Sequence, residues 1–161
     1  MIAVFDSSPW IFLSKLGIIE PAISLFSKNI VPYSVKEEIV GRNDEATSAL
    51  ERLHGTGSVE ILNAKSSRFV NALRRKLGKG ESEAIVVALG IDADYVILDD
   101  HVARSIARQL GLSVKGTLGI IRKLIELGEF TYDLKDLYKT LRNMGFWVKE
   151  DLFWDIYGET K

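Results

Sequence analysis

Cysteine is absent from the 161 residues. Disulfides, thiolate nucleophiles and cysteine-ligated zinc are therefore excluded, and any metal must sit on oxygen or histidine. Histidine is scarce, at two residues, and neither His54 nor His101 stands in a pattern with a nucleophile, so an acyl-transfer triad has little support. Proline occurs three times and no low-complexity tract is present, which disfavours disorder, collagen and coiled coil. No apolar run approaches the roughly 20 residues of a membrane span. The opening Met1-Ile2-Ala3-Val4-Phe5-Asp6 lacks the basic stretch of a signal peptide, so a cytoplasmic protein with no membrane association is expected. Neither sign of charge dominates: 21 basic against 22 acidic residues give a net −1, which rules out a polycationic coat protein but leaves room for a local basic patch. Gly78-Lys79-Gly80 matches neither phosphate-loop pattern and reads as a turn.

What is present is a globular chain with 47% hydrophobic and 27% charged residues, of a length suited to one domain. Met1 to Phe5 is a continuous apolar run closed by Asp6, the signature of a strand buried on both faces. Asp94 to Asp100 repeats that grammar, with Val96-Ile97-Leu98 closed by Asp99-Asp100. Further strands are expected at Asn29 to Val31, Ser58 to Leu62 and Leu112 to Lys115. Between them, helices are expected from Ser7 to Gly17, Pro21 to Ser27 and Pro32 to Gly41, then Glu45 to His54 and Ser66 to Leu77. A buried helix over Glu81 to Leu89 and helices over Val102 to Leu110 and Gly116 to Leu127 follow. Two amphipathic helices, Leu134 to Asn143 and Lys149 to Tyr157, form a C-terminal extension of about 133–157. Strands alternating with helices argue a three-layer α/β/α sandwich with a central, mostly parallel sheet, in a single domain over 1–161.

Ligands in such sheets gather beyond the C-terminal strand ends, and two strands here end in carboxylates. Either Asp6 or Asp99 alone would read as a helix cap. Their joint placement argues a site, to which Glu38 and Glu81, expected on first helical turns, add further acid. Glu37 reads as solvated, and Glu83 faces away from Glu81, since residues two apart on a helix do not share a face. Clustered carboxylates raise one another's pKa or recruit a cation. With oxygen ligands alone, Mg²⁺ or Mn²⁺ fits best, and the chemistry such ions serve is phosphodiester hydrolysis. A phosphoryl-accepting receiver fits poorly, because Asp6 is followed by Ser7-Ser8 rather than a second acid.

Asp6, Pro32-x-x-Val35-x-x-Glu38, Gly80-Glu81-x-Glu83-Ala84-Ile85 and Val96-Ile97-Leu98-Asp99-Asp100-x-x-x-Arg104 together resemble the PIN-domain ribonucleases, the superfamily containing VapC toxins. Gly111-Leu112-x-Val114-x-Gly116-Thr117-Leu118-Gly119 resembles a prokaryotic PIN-like subgroup of largely uncharacterised proteins. The resemblance implies a metal-dependent endoribonuclease using Mg²⁺ or Mn²⁺. It gives the catalytic and metal-holding roles to Asp6, Glu38, Glu81 and Asp99, with Asp100 an alternative or auxiliary ligand. It further implies RNA as substrate, a homodimer, and a place for a small antitoxin protein whose C-terminal segment blocks the acidic pocket. Two positions depart from the family's pattern: Glu81 stands where Asp is common, and Leu98-Asp99 replaces a Thr-Asn or Thr-Asp lead-in. The rival reading is a non-catalytic PIN-like module that binds RNA or protein.

Between Ala64 and Gly80 lie Lys65, Arg68, Arg74, Arg75, Lys76 and Lys79 with no acid among them. A solvated helix face is the plain reading; contact with an RNA backbone leading into Glu81 is the functional one, and the latter is favoured. Arg104, one turn beyond the acids, can pair with them or meet a phosphate. The aromatic set from Phe130 to Tyr157 is core, part of it a candidate partner surface, and Trp10 is packing.

Overall fold

The N-terminal apolar run becomes the middle strand of a sheet. The structure, a computed structural model, describes residues 1–158. Strands β1 (Ile2–Phe5), β2 (Lys28–Pro32), β3 (Glu60–Leu62), β4 (Tyr95–Ile97) and β5 (Val114–Lys115) pair in parallel throughout, in the order β3-β2-β1-β4-β5. Because β1 has β2 on one side and β4 on the other, the strand order reverses at β1, which opens a crevice at the carboxyl ends of β1 and β4.

Alternation along the strands sends side chains to two separate cores. Ala3, Phe5, Val31 and Ile97 face a core shared with α1 (Ser7–Lys15), α2 (Ile19–Ile23), α3 (Tyr33–Arg42) and α4 (Glu45–Gly55). The same core takes in α8 (Thr117–Glu126), α9 (Leu134–Asn143) and α10 (Glu150–Tyr157). Val4, Ile30, Val96 and Leu98 face the other core, closed by α6 (Lys79–Gly90) and α7 (His101–Gln109), with Leu73 of α5 (Ser67–Leu73) packed at its margin. Each of the large fully buried side chains, such as Phe5, Leu13 and Ile85, contributes about 1.5–3 kcal/mol by leaving water. The result is the α/β/α sandwich expected, with a wholly parallel sheet.

Several element boundaries differ from the reading of the sequence. Helix α2 covers Ile19–Ile23 rather than Pro21 to Ser27, because the Ser24 hydroxyl and amide both return to the Glu20 carbonyl and the Ser27 amide is taken by Met1 O at 2.9 Å. Helix α3 runs through Gly41 and stops at Asn43, whose φ of 51° is left-handed, so the glycine is not the break. With α3 starting at Tyr33, Glu38 falls on its second turn, not its first. Helix α5 ends at Leu73, where the Lys76 and Leu77 amides converge on the Leu73 carbonyl.

The C-terminal helices complete the first core. Leu137, Leu141, Phe153 and Tyr157 are fully buried, and the Tyr157 hydroxyl donates to Leu118 O at 2.7 Å, tying α10 to the start of α8. Trp10 is buried, with its indole donating to Ala46 O at 3.1 Å, as its packing role requires. Trp147 is 76% exposed beneath the Arg142 guanidinium.

Candidate functional site

Pairing of β1 with β4 sets Phe5 beside Ile97, and the Asp6 amide donates to Ile97 O at 3.1 Å. Asp6, the residue after β1, thus falls level with Leu98 and brings its carboxylate to the crevice one position before Asp99 does so beyond β4. Asp6 occupies the N-cap position of α1 but makes no side-chain capping bond, and it is only 4% exposed. Its carboxyl is pushed up to about 7, first by burial and then by the charges of Glu81, Glu38 and Asp99, with the adjoining Ser7 amide acting against the shift.

The other acids are held in place by specific donors. Ser7 donates its hydroxyl to Glu38 Oε2 at 2.6 Å. Glu81, on the first turn of α6, accepts the Gly78 amide at 3.2 Å. Burial raises the Glu81 carboxyl, the Gly78 amide opposes that, and Asp100 and Glu38 add to it. Asp99 accepts the Thr117 amide at 2.8 Å on one oxygen and the Thr117 hydroxyl at 2.6 Å on the other. Its carboxyl is nonetheless raised by burial, against the pull of Thr117 and Arg104. The neighbouring Asp100 is exposed and caps α7 by accepting the Ala103 amide at 2.9 Å.

Two glycines leave the crevice open. A Cβ on Gly80 would lie 2.7 Å from Glu38 Oε1 and 3.3 Å from Asp6 Oδ1, so oxygens of both acids converge on that backbone. A Cβ on Gly116 would lie 2.6 Å from Arg104 Nη1 and 3.1 Å from Asp99 Oδ1. Arg104 turns inward and donates to Leu98 O at 2.7 Å. Its guanidinium is held below its ordinary pKa by burial and by Arg108, and raised in return by Asp99.

Glu83 is buried and turned to the Ser34 amide at 3.3 Å, away from this group. Glu37 is exposed beside Lys36 at 3.6 Å, as a solvated residue should be. Lys65, Arg68, Arg74, Arg75, Lys76 and Lys79 are all exposed, and among the described residues none of them enters an ion pair. Thr117 was not legible as a site residue. It lies 18 positions from Asp99, and the one available signal was its place in Gly116-Thr117-Leu118-Gly119. It supplies from α8 the hydroxyl that the Leu98-Asp99 lead-in lacks.

The donor chemistry suits a hard divalent cation: oxygen ligands, mutually repelling, from buried Asp6 through half-buried Glu81 and Asp99 to exposed Glu38. As the side chains lie, no three acids among the described residues stand close enough to hold one ion together. Glu38, Glu81 and Asp99 each turn an oxygen to a protein donor instead, and Asp6 is the member left with little compensation.

A parallel α/β sandwich with carboxylates gathered where its strand order reverses is an acid-centred α/β domain. The chain belongs to the DUF3368 family of PIN domains, whose model matches residues 2–161. PIN domains are generally nucleases and typically depend on a divalent metal. No curated protein matches the sequence. A solved structure of a PilT N-terminus domain protein, SSO1118, from the hyperthermophilic archaeon Sulfolobus solfataricus P2 is similar in fold. The two share 22% identity over 83% of this chain and 98% of that one, with a TM-score of 0.57. Among the described residues no helix is long and apolar enough to cross a membrane.

Proposed function

We propose that this PIN domain is a Mg²⁺- or Mn²⁺-dependent endoribonuclease whose acid centre is Asp6, Glu38, Glu81 and Asp99. The observation that carries the reading is Asp6: a carboxylate 4% exposed at the switch point, bearing the repulsion of three other acids and making no capping bond. A side chain kept in that state for shape alone would be costly, since an uncompensated buried charge is destabilising. A bound divalent ion would supply Lewis acidity and an acidified water for in-line phosphodiester hydrolysis.

The chain's own residues prepare that site. Ser7 orients Glu38, the Gly78 amide orients Glu81, and Thr117 grips both oxygens of Asp99. Gly80 keeps the space between Glu38 and Asp6 clear. Asp100, engaged in capping α7, takes an auxiliary position at the rim. Arg68, Arg74, Arg75, Lys76 and Lys79 offer the strand's phosphates a basic approach. Arg104 steadies the end of β4 from inside. A homodimer and a small antitoxin partner follow from the family resemblance alone.

The reading is tested with end-labelled single-stranded RNA, incubated with Mn²⁺ or with EDTA. Cleavage by the wild type in Mn²⁺, lost in EDTA and in Asp6→Asn and Asp99→Asn, is the expected result. Equal cleavage by all three proteins would overturn it. One observation favours the rival, a non-catalytic module binding RNA or protein: the acids are not drawn together as they lie. A folded wild type without saturable Mn²⁺ binding would decide for that rival.

A further inference from the structure

Outside the acid centre, one polar cavity has a chemistry of its own. It occupies about 240 Å³ between α5 and α6, lined by Asn63, Ser67, Asn71, Arg74, Lys79 and Glu83. Its polar lining is of the kind that meets a phosphate: a hydroxyl, two amides, a guanidinium and an ammonium. The single acid in its wall, Glu83, already accepts the Ser34 amide at 3.3 Å, so the two cations outnumber it and leave the wall net positive. No aromatic ring lines it, so it offers no surface for stacking a base. Its volume also falls below the roughly 300–1,000 Å³ of small-molecule sites.

Position ties this cavity to the acids. Lys79 reaches into it, while its two chain neighbours serve the acid centre: the Gly78 amide binds Glu81, and Gly80 lies against Glu38 and Asp6. The cavity therefore begins about one residue, some 3.8 Å of backbone, from the acid-bearing turn.

We infer that the cavity between α5 and α6, with Arg74 and Lys79 as its cations, is a sequence-independent subsite for a backbone phosphate of the RNA strand flanking the cleavage position. The subsite rests on the ribonuclease reading and gives the strand a direction across the protein, out of the acid crevice and over the start of α6. Asn71 and Ser67 fix the phosphate oxygens, and the other basic residues of this face lie further along the path.

The test is the salt dependence of single-stranded RNA binding in EDTA, where no turnover occurs, for wild type, Arg74→Gln/Lys79→Gln and Lys139→Gln, the last on an exposed part of α9. Loss of one phosphate contact flattens the log–log salt slope by roughly 0.7 for a single strand. The double variant should show that flattening and weaker binding, Lys139→Gln should match wild type, and Arg74→Lys should retain the wild-type slope. An unchanged slope in the double variant overturns the subsite. Inorganic phosphate, titrated alone, separates a free anion from a strand phosphate. The proposal expects no saturable binding, and saturable phosphate binding that the double variant loses while the RNA slope stays unchanged would overturn it. The subsite and the nuclease reading fail separately. RNA cleaved with the slope unchanged removes the subsite only, and a flattened slope without cleavage removes the nuclease only.

Discussion

The ends of β1 and β4 carry the same residue type on neighbouring strands, yet the two aspartates, both raised by burial, are compensated to different degrees. Asp99 is clasped by the Thr117 amide and hydroxyl, with Arg104 near. Asp6 has only the adjoining backbone amide to set against its burial and three nearby acids. Asp99 is thus a built part of the fold that can also serve a ligand, whereas Asp6 is held in place by the strand that bears it and has most to gain from a cation.

Breaking the β1 end should have the largest effect. Asp6→Asn keeps the shape and removes the ligand, so cleavage of RNA should fall by about a hundredfold or more, as removal of several kcal/mol of charge stabilisation implies. An Asp6→Asn protein with near-normal turnover would place the chemistry elsewhere.

Stability against pH sharpens the contrast. Since the folded Asp6 carboxyl titrates at about 7, the folded state binds more protons than the unfolded one between the ordinary aspartate range and pH 7. Metal-free protein should therefore lose stability as pH rises through that window, by on the order of 4 kcal/mol from this group. Asp6→Asn should flatten the loss and melt higher than wild type at pH 8. Asp99→Ala should instead melt lower, by about 1–3 kcal/mol, because the buried Thr117 donors lose their partner. Urea unfolding at pH 5 and pH 8 reads both effects, and parallel behaviour of the two variants would abolish the distinction.

At the β4 end, Thr117→Val removes the hydroxyl while keeping size and leaves the backbone bond to Asp99. A 10–100-fold loss in Mn²⁺ affinity is expected, of the size seen when a ligand's orienting partner is removed, with Thr117→Ser close to wild type. The smallest change is Gly80→Ala. Its new methyl meets the flexible end of Glu38, so the fold should survive and Mn²⁺ affinity should weaken only a fewfold. Unaltered affinity would show that Glu38 does not need the position it holds.

How much of this could be read from residues alone follows from where the information is local. Two apolar runs closed by aspartate announce β1 and β4, and neighbouring parallel strands must bring their ends together. Helix boundaries were less legible, because the stop of α3 depends on Asn43 adopting a left-handed conformation rather than on Gly41, two positions earlier. The neighbours Asp99 and Asp100 are told apart only by what each carboxylate touches: Asp100 caps α7, while Asp99 reaches across to α8. Thr117 was hidden for the same reason, since its partner comes from another strand–helix unit. That the Glu83 carboxylate leaves the acid group depends on the approach of Ser34, 49 positions away.

The most direct test of the account is calorimetric titration of Mn²⁺ into the metal-free protein at pH 8, beside the Asp6→Asn variant. The account predicts saturable binding by the wild type that is lost in the folded variant. Equal binding by both proteins, or none by a folded wild type, would contradict it.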